Sequence, residues 1–119
     1  MQQATLEANA TTSAGGSVIR LRGEIDGSAR IVLNDAYDAA AGPGGLELDF
    51  TDVAYINSTG IALIVGLLAR ARSDQRPVSA RGLSQHYREI FEITRLSDFM
   101  TILADEQSAP NAAQEEAAQ

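Results

Sequence analysis

Three polar side chains in a row, Asn57, Ser58 and Thr59, stand before Gly60 and a nearly unbroken apolar run over residues 61–69. Asn and Ser are favoured helix N-caps, because a short side-chain oxygen accepts from an exposed amide there, worth about 0.5–2 kcal/mol over Ala. A cap accounts for Asn57 or Ser58 but not for three polar residues together. A serine at a helix start is also exposed, and the open amides and helix dipole around it favour an anion. Phosphate would bring about −1.5 to −2 charges at neutral pH. The carrier domain tolerates that charge, whereas a partner packed over the loop would have to bury it. The cluster therefore reads as a cap, a modifiable hydroxyl, a docking point, or a combination of these. Asn57-Ser-Thr59 also spells a glycosylation acceptor, which would need a secretory context.

Other chemistries find little support. A hydrolase needs a base beside its nucleophile, and the one histidine, His86, falls at a helix start where a surface role suffices. The carboxylates show no paired spacing, so no catalytic residue is expected. There is no cysteine, which removes disulfides and thiolate chemistry. With one histidine and no cysteine, no metal site is expected, and no cofactor motif is present. Residues 42–45 (Gly-Pro-Gly-Gly) follow a helix and precede a strand, the reverse of a phosphate-binding loop, and no lysine follows.

The net charge of −7 disfavours nucleic acid, whose binding needs a basic face. From residue 104 onward there are four acids and no base, leaving twelve acids against nine arginines before it. That stretch also contains Pro110 and no large apolar residue, and is expected to be a disordered, solubilising tail. No run approaches the roughly 18 apolar residues needed to span a bilayer, and the first residues have neither a basic region nor an apolar signal core. The expectation is a cytoplasmic protein with no membrane partner.

The elements that must position the cluster follow from periodicity. Residues 5–8 are a weak strand, 11–17 a turn-forming cluster, and 18–22 a better strand ending in Gly23-Glu-Ile-Asp26-Gly27. Asp26 or Ser28 can cap a helix over about 29–41, with Ile31, Val32, Asp35 or Ala36, and Ala39 as an imperfect apolar stripe. Residues 46–50 (Leu-Glu-Leu-Asp-Phe) alternate cleanly, Thr51 and Asp52 break the strand, and 53–56 lead into the focal helix. That helix runs to about Ser73, with Arg70 and Arg72 suiting its C-terminus. So apolar a helix is normally buried on most sides; the alternative keeps one face for a partner. A loop over 74–77, a strand over 77–80, a helix from Ser84 to about Leu96 and a strand over 100–103 complete the chain. Tyr87, Ile90 and Phe91, with Ile93 or Thr94, form the last helix's apolar face.

Strands alternating with helices imply a parallel-rich α/β sheet of four to five strands, with the first hairpin as an antiparallel edge and helices packed on it. Sites in such sheets lie where strands lead into helices, and residues 57–60 occupy such a junction.

Gly23-Glu-Ile-Asp26, then residues 46–52 (Leu-Glu-Leu-Asp-Phe-Thr-Asp), then residues 55–61 (Tyr-Ile-Asn-Ser-Thr-Gly-Ile) resemble, in this order, the STAS domain of bacterial anti-sigma factor antagonists. Residues 88–96 resemble the family's third helix. The resemblance covers about 18–103 and places a STAS domain at 1–103, with 104–119 as the acidic tail. It implies a non-enzymatic protein that binds an ATP-using anti-sigma factor kinase, is phosphorylated by it and released, and is reset by a serine/threonine phosphatase. Carried over by position, the phosphorylated residue is Ser58, with Thr59 as the neighbour that could substitute. The partner surface would comprise Asp26, Asn57, Ser58, Thr59, Gly60 and Ile61. The alternative is a constitutive STAS scaffold in a stress-sensing complex or a lipid-transport ATPase assembly. Asn57 stands where the family has Asp, which removes a charge-assisted acceptor.

Overall fold

The computed structural model describes residues 6–13, 15–40 and 42–103; the expected acidic tail lies outside them. Strands β1 (Glu7–Ser13) and β2 (Gly16–Ile25) form an antiparallel hairpin. A 3-10 turn (Gly27–Ala29) and helix α1 (Arg30–Ala39) lead to β3 (Gly45–Ile56). Helix α2 (Ser58–Ser73), β4 (Val78–Arg81), α3 (Gln85–Ile93), a 3-10 turn (Leu96–Asp98) and β5 (Thr101–Ile102) follow. The five strands lie in chain order, β1-β2-β3-β4-β5, and every pair after the first is parallel. This is the expected α/β sheet with one antiparallel edge.

One sheet face is apolar. Ile19, Leu21 and Ile25 of β2, Leu46, Leu48 and Phe50 of β3, and Val78 and Ala80 of β4 are all buried. They join one core with Leu33, Ala36 and Tyr37 of α1, Ile64, Leu67, Leu68 and Ala71 of α2, and Phe91 of α3. Phe91 meets Phe50 edge-on at 5.8 Å, a favoured geometry for paired rings. The opposite face is polar, with Arg20 paired to Asp49 and Arg81 to Glu47 across neighbouring strands.

Four expectations need correction. Residues 11–13 and 16–17 are not a turn but belong to β1 and β2, which pair from Glu7 opposite Arg22 to Ser13 opposite Gly16; β1 accordingly starts later and runs longer than expected. Thr51 and Asp52 do not end β3. They sit in a β-bulge, where β2 advances from Arg20 to Arg22 while β3 advances from Asp49 to Asp52. Asp49 holds that bulge by accepting from the Thr51 amide and hydroxyl. A second bulge at Ala54 sets Gly23–Glu24 against Val53–Tyr55. Core-facing positions on β3 thus fall at 48, 50, 53 and 56, matching 19, 21, 23 and 25 on β2.

The third correction concerns α1. Its buried face is Leu33, Ala36 and Tyr37, flanked by Ala29 and Ala40, while Ile31 is 70 % exposed. The tyrosine is accepted into the core because its hydroxyl donates to Asp74 at the end of α2, 2.6 Å away. The fourth is on α3, where Ile93 is exposed and the Thr94 hydroxyl instead donates to the Ile90 carbonyl.

Arg76 fixes the turn between α1 and β3. It is only 7 % exposed and donates to the carbonyls of Ala40, Gly44 and Gly45 and to Ser17 Oγ, at 2.7–3.3 Å. A buried guanidinium is tolerated where its donors are satisfied.

Candidate functional site

The parallel strands β2 and β3 end level with each other, Ile25 opposite Ile56. Each then turns into a helical segment, so Asp26 and Asn57 emerge side by side at the carboxyl edge of the sheet. The Asn57 amide donates to the Ile25 carbonyl at 3.2 Å, which ties the two turns together. The Ile56 amide donates to the Tyr87 hydroxyl of α3 at 2.9 Å. The junction is thereby held from both sides.

Asn57 is the N-cap of α2. Its backbone is extended, and its Oδ1 accepts from the Gly60 amide at 2.8 Å. Of the two capping alternatives in the sequence, Asn57 is therefore the one realised. The hydroxyls of Ser58 and Thr59 have no hydrogen-bond partner among the described residues, and both residues are exposed. As the first two helical residues they also have no carbonyl one turn back for their amides.

Gly60 is buried because α2 starts pressed against the end of β2. A Cβ there would lie 2.0 Å from the Ile25 carbonyl oxygen, so any side chain would push the helix away. Ile61 is half-buried and packs against the core. The six expected site residues thus divide by role. Ser58 and Thr59 are accessible, Asn57 and Gly60 set the geometry, Ile61 anchors the first turn, and Asp26 stands across from them in the neighbouring turn.

Asp26 caps its own 3-10 turn, its Oδ1 accepting from the Ser28 amide at 2.9 Å and the Ser28 hydroxyl at 2.6 Å. The Ser28 hydroxyl, then its amide, hold the carboxyl below its ordinary 3.8, so Asp26 is a carboxylate at neutral pH. A Cβ on Gly27 would touch Thr59 Cγ2 at 3.4 Å, which measures how closely the two turns approach.

Along α2, Ile64, Leu67, Leu68 and Ala71 face the core while Ala62, Val65, Gly66 and Ala69 are exposed. The helix is not buried on most sides; it keeps an open face of small apolar residues that continues from Ser58. Beside it, a groove of about 200 Å³ runs between α1 and α2, lined by Arg30, Leu33, Asn34, Ala62, Leu63, Gly66 and Leu67. Tyr55, just before the junction, is half-exposed.

Tyr87 and Arg30 are the contributors that sequence reasoning missed. Tyr87 was legible only as a core residue, since its hydroxyl reaches an amide 31 positions away. Arg30 carried no signal beyond its charge. His86 is exposed and stacks edge-on against Tyr87 with centroids 4.8 Å apart. Among the described residues, no three of His, Asp and Glu converge as metal ligands, and no helix is long and apolar enough to cross a membrane.

Comparison with known proteins agrees with this arrangement. Residues 9–104 match the family model described as "Mlab, STAS domain". The anti-sigma-B factor antagonist of Listeria monocytogenes is 35% identical over 86 residues, spanning 71% of this chain and 75% of that protein. A crystal structure of an anti-sigma factor antagonist from Mycobacterium paratuberculosis superposes with a TM-score of 0.65 at 24% identity, covering 82% of this chain and 85% of that one. The anti-sigma factor antagonist SpoIIAA in its unphosphorylated form gives 0.61 at 19% identity, covering 87% and 92%. SpoIIAA of Bacillus has also been solved in a phosphorylated form, with a TM-score of 0.59 at 19% identity over 87% and 95% of the two chains.

Proposed function

We propose that this protein, which belongs to the STAS-domain family of anti-sigma factor antagonists, binds an ATP-using anti-sigma kinase over the Asp26–Ser58 edge and is switched off by phosphorylation of Ser58. The family consists of regulatory binding proteins rather than enzymes, and its name implies an anti-sigma factor as the partner. The observation that carries the finer reading is the division of labour at the start of α2. Asn57 supplies the cap, so the Ser58 hydroxyl has no structural duty and can be modified without undoing the helix.

The chemistry is phosphoryl transfer. The Ser58 oxygen takes the γ-phosphoryl group of ATP, ADP leaves, and the hydroxyl proton passes to the kinase's base or to water. The product adds about −1.5 to −2 charges where open amides and the helix dipole accommodate an anion. An unmodified site presents Ser58, Thr59 and the open α2 face to the partner. A phosphorylated site would force that partner to bury a dianion beside the Asp26 carboxylate, so the complex dissociates. A serine/threonine phosphatase hydrolyses the ester to serine and inorganic phosphate and resets the switch. That SpoIIAA has been solved in both forms supports the reading for a protein of the same fold.

The test is a binding titration against a histidine-kinase-like anti-sigma factor. Ser58→Ala is expected to retain binding and Ser58→Asp to lose it, with a phosphorylated species visible by intact mass after incubation with the kinase and ATP. Equal binding by both variants, with Ser58 unmodified, would refute the switch in favour of a constitutive scaffold.

A further inference from the structure

The seam between α1 and α2 starts with both helices side by side. Gly27 stands against Thr59, and one turn further on Arg30 lines the groove with Ala62 and Leu63. Leu33 and Asn34 of α1 and Gly66 and Leu67 of α2 complete the lining. The first lining residue on each side, Arg30 and Ala62, comes three residues after the Gly27–Thr59 approach. This places Arg30 about one helical turn, roughly 6 Å along the axis, from the level of Ser58 and Thr59. Ser58 and Ala62, four apart, share a face of α2. Helical side chains lean toward their own N-terminus, so the stem of Arg30 leads back toward the Ser58 end of the seam.

Arg30 has no ion pair among the described residues, whereas Arg20, Arg70 and Arg95 pair with Asp49, Asp38 and Asp98. It is also the first residue of α1, the end of the helix dipole at which a cation is disfavoured. A cation held at an unfavourable helix end, exposed and unpaired beside a modifiable hydroxyl, is placed to meet a charge that arrives later.

We infer that Arg30 is the residue that receives the phosphoryl group of phosphorylated Ser58, drawing its guanidinium off the α1–α2 groove and so changing that docking surface as well as the serine. The inference rests on Ser58 being the modified residue. Two consequences of modification then act together: the partner meets a new dianion, and the groove loses the cation on its rim. Arg30 is a positioning residue for the switch and takes no part in phosphoryl transfer.

The test needs no kinase. Phosphoserine is encoded genetically at position 58 and its second ionisation, ordinarily near pH 6, is followed by phosphorus NMR. A guanidinium within about 6 Å favours the dianion, so the midpoint is expected to lie about half a unit lower than in the Arg30→Ala protein. Arg30→Lys is expected to keep most of that shift, a rescue that a packing role for the arginine would not give. Glu24 and Asp26 at the end of β2 act in the opposite direction in every variant. The comparison is repeated with His86→Gln, which removes the histidine of α3 from the measurement. Equal midpoints with and without Arg30 overturn the inference. An Arg30-dependent midpoint together with undiminished partner binding by Ser58→Asp would uphold the contact and overturn the switch instead.

Discussion

Two glycines in the same helix should respond to alanine with opposite signs. At Gly60 the added Cβ would sit 2.0 Å from the Ile25 carbonyl oxygen, 2.7 Å from its carbon and 3.0 Å from Ile25 Cγ2. Two of those three atoms are backbone and cannot rotate away, so the start of α2 must retreat by more than about 1 Å to restore van der Waals contact. Overpacking of this kind costs about 1–3 kcal/mol. The 3.2 Å bond from the Asn57 amide to the same carbonyl would be stretched beyond bonding range, a further loss of about 1 kcal/mol. Alanine's better helix propensity returns about 1 kcal/mol, leaving a net loss of about 2 kcal/mol. At Gly66 nothing lies within 4 Å of the same added atom, so only the propensity gain of about 1 kcal/mol remains. The two variants should thus differ by about 3 kcal/mol, or roughly 12–24 °C in thermal midpoint for a domain of this size. Differential scanning calorimetry on both proteins reads this directly. A Gly60→Ala protein melting at or above the wild type would refute the close approach of α2 to β2, and with it the geometry assigned to Ser58.

The cap and the buried tyrosine give further expectations. Asn57→Ala removes the acceptor for the Gly60 amide and should cost about 1 kcal/mol in urea denaturation. Asn57→Asp keeps the acceptor, adds a charge that the helix dipole favours by about 0.3–1 kcal/mol, and should tighten kinase binding; weaker binding by calorimetric titration would contradict this account of the site. Burial first, then the bond to Asp74, raise the Tyr37 phenol above its ordinary 10.0. The native state then holds that proton more tightly than the unfolded chain, so stability is full below about pH 10 and falls as pH rises from there through the raised native value. Asp74→Asn should shallow that decline in urea midpoints measured between pH 8 and 11, and an unchanged slope would count against the bond.

What was legible in the sequence was local. The alternation of residues 46–50 reports a strand with one buried face because its neighbours on both sides supply the matching apolar rows. The limits of α2 could be read because Asn57 and the terminal arginines are signals carried by the helix itself. The face of α1 could not, since its apolar residues surround the helix and its phase is set by Tyr37 finding Asp74, 37 positions away. Arg76 reads as an ordinary loop residue until the α1–β3 turn closes around it. The same holds at the site. The serine and its cap are contiguous and visible, whereas Arg30 and Tyr87 become relevant only when the seam between helices and the end of β3 are assembled.

The paired bulges of β3 have a consequence for how the start of α2 tolerates changes in chain length. Side chains on a strand alternate sides at every step, so one extra residue reverses everything downstream and two restore the original sense. The insertions at residues 51–52 and at Ala54 are such a pair, and they carry Ile56 back into the core with Asn57 at the edge beside Asp26. Loss of either residue alone would turn Ile56 outward and misdirect Ser58. Loss of both would give a shorter, regular strand that delivers the same serine to the same edge. The position of the Ser58 hydroxyl is thus protected by parity, and single-residue insertions and deletions in this arm are the changes it cannot absorb.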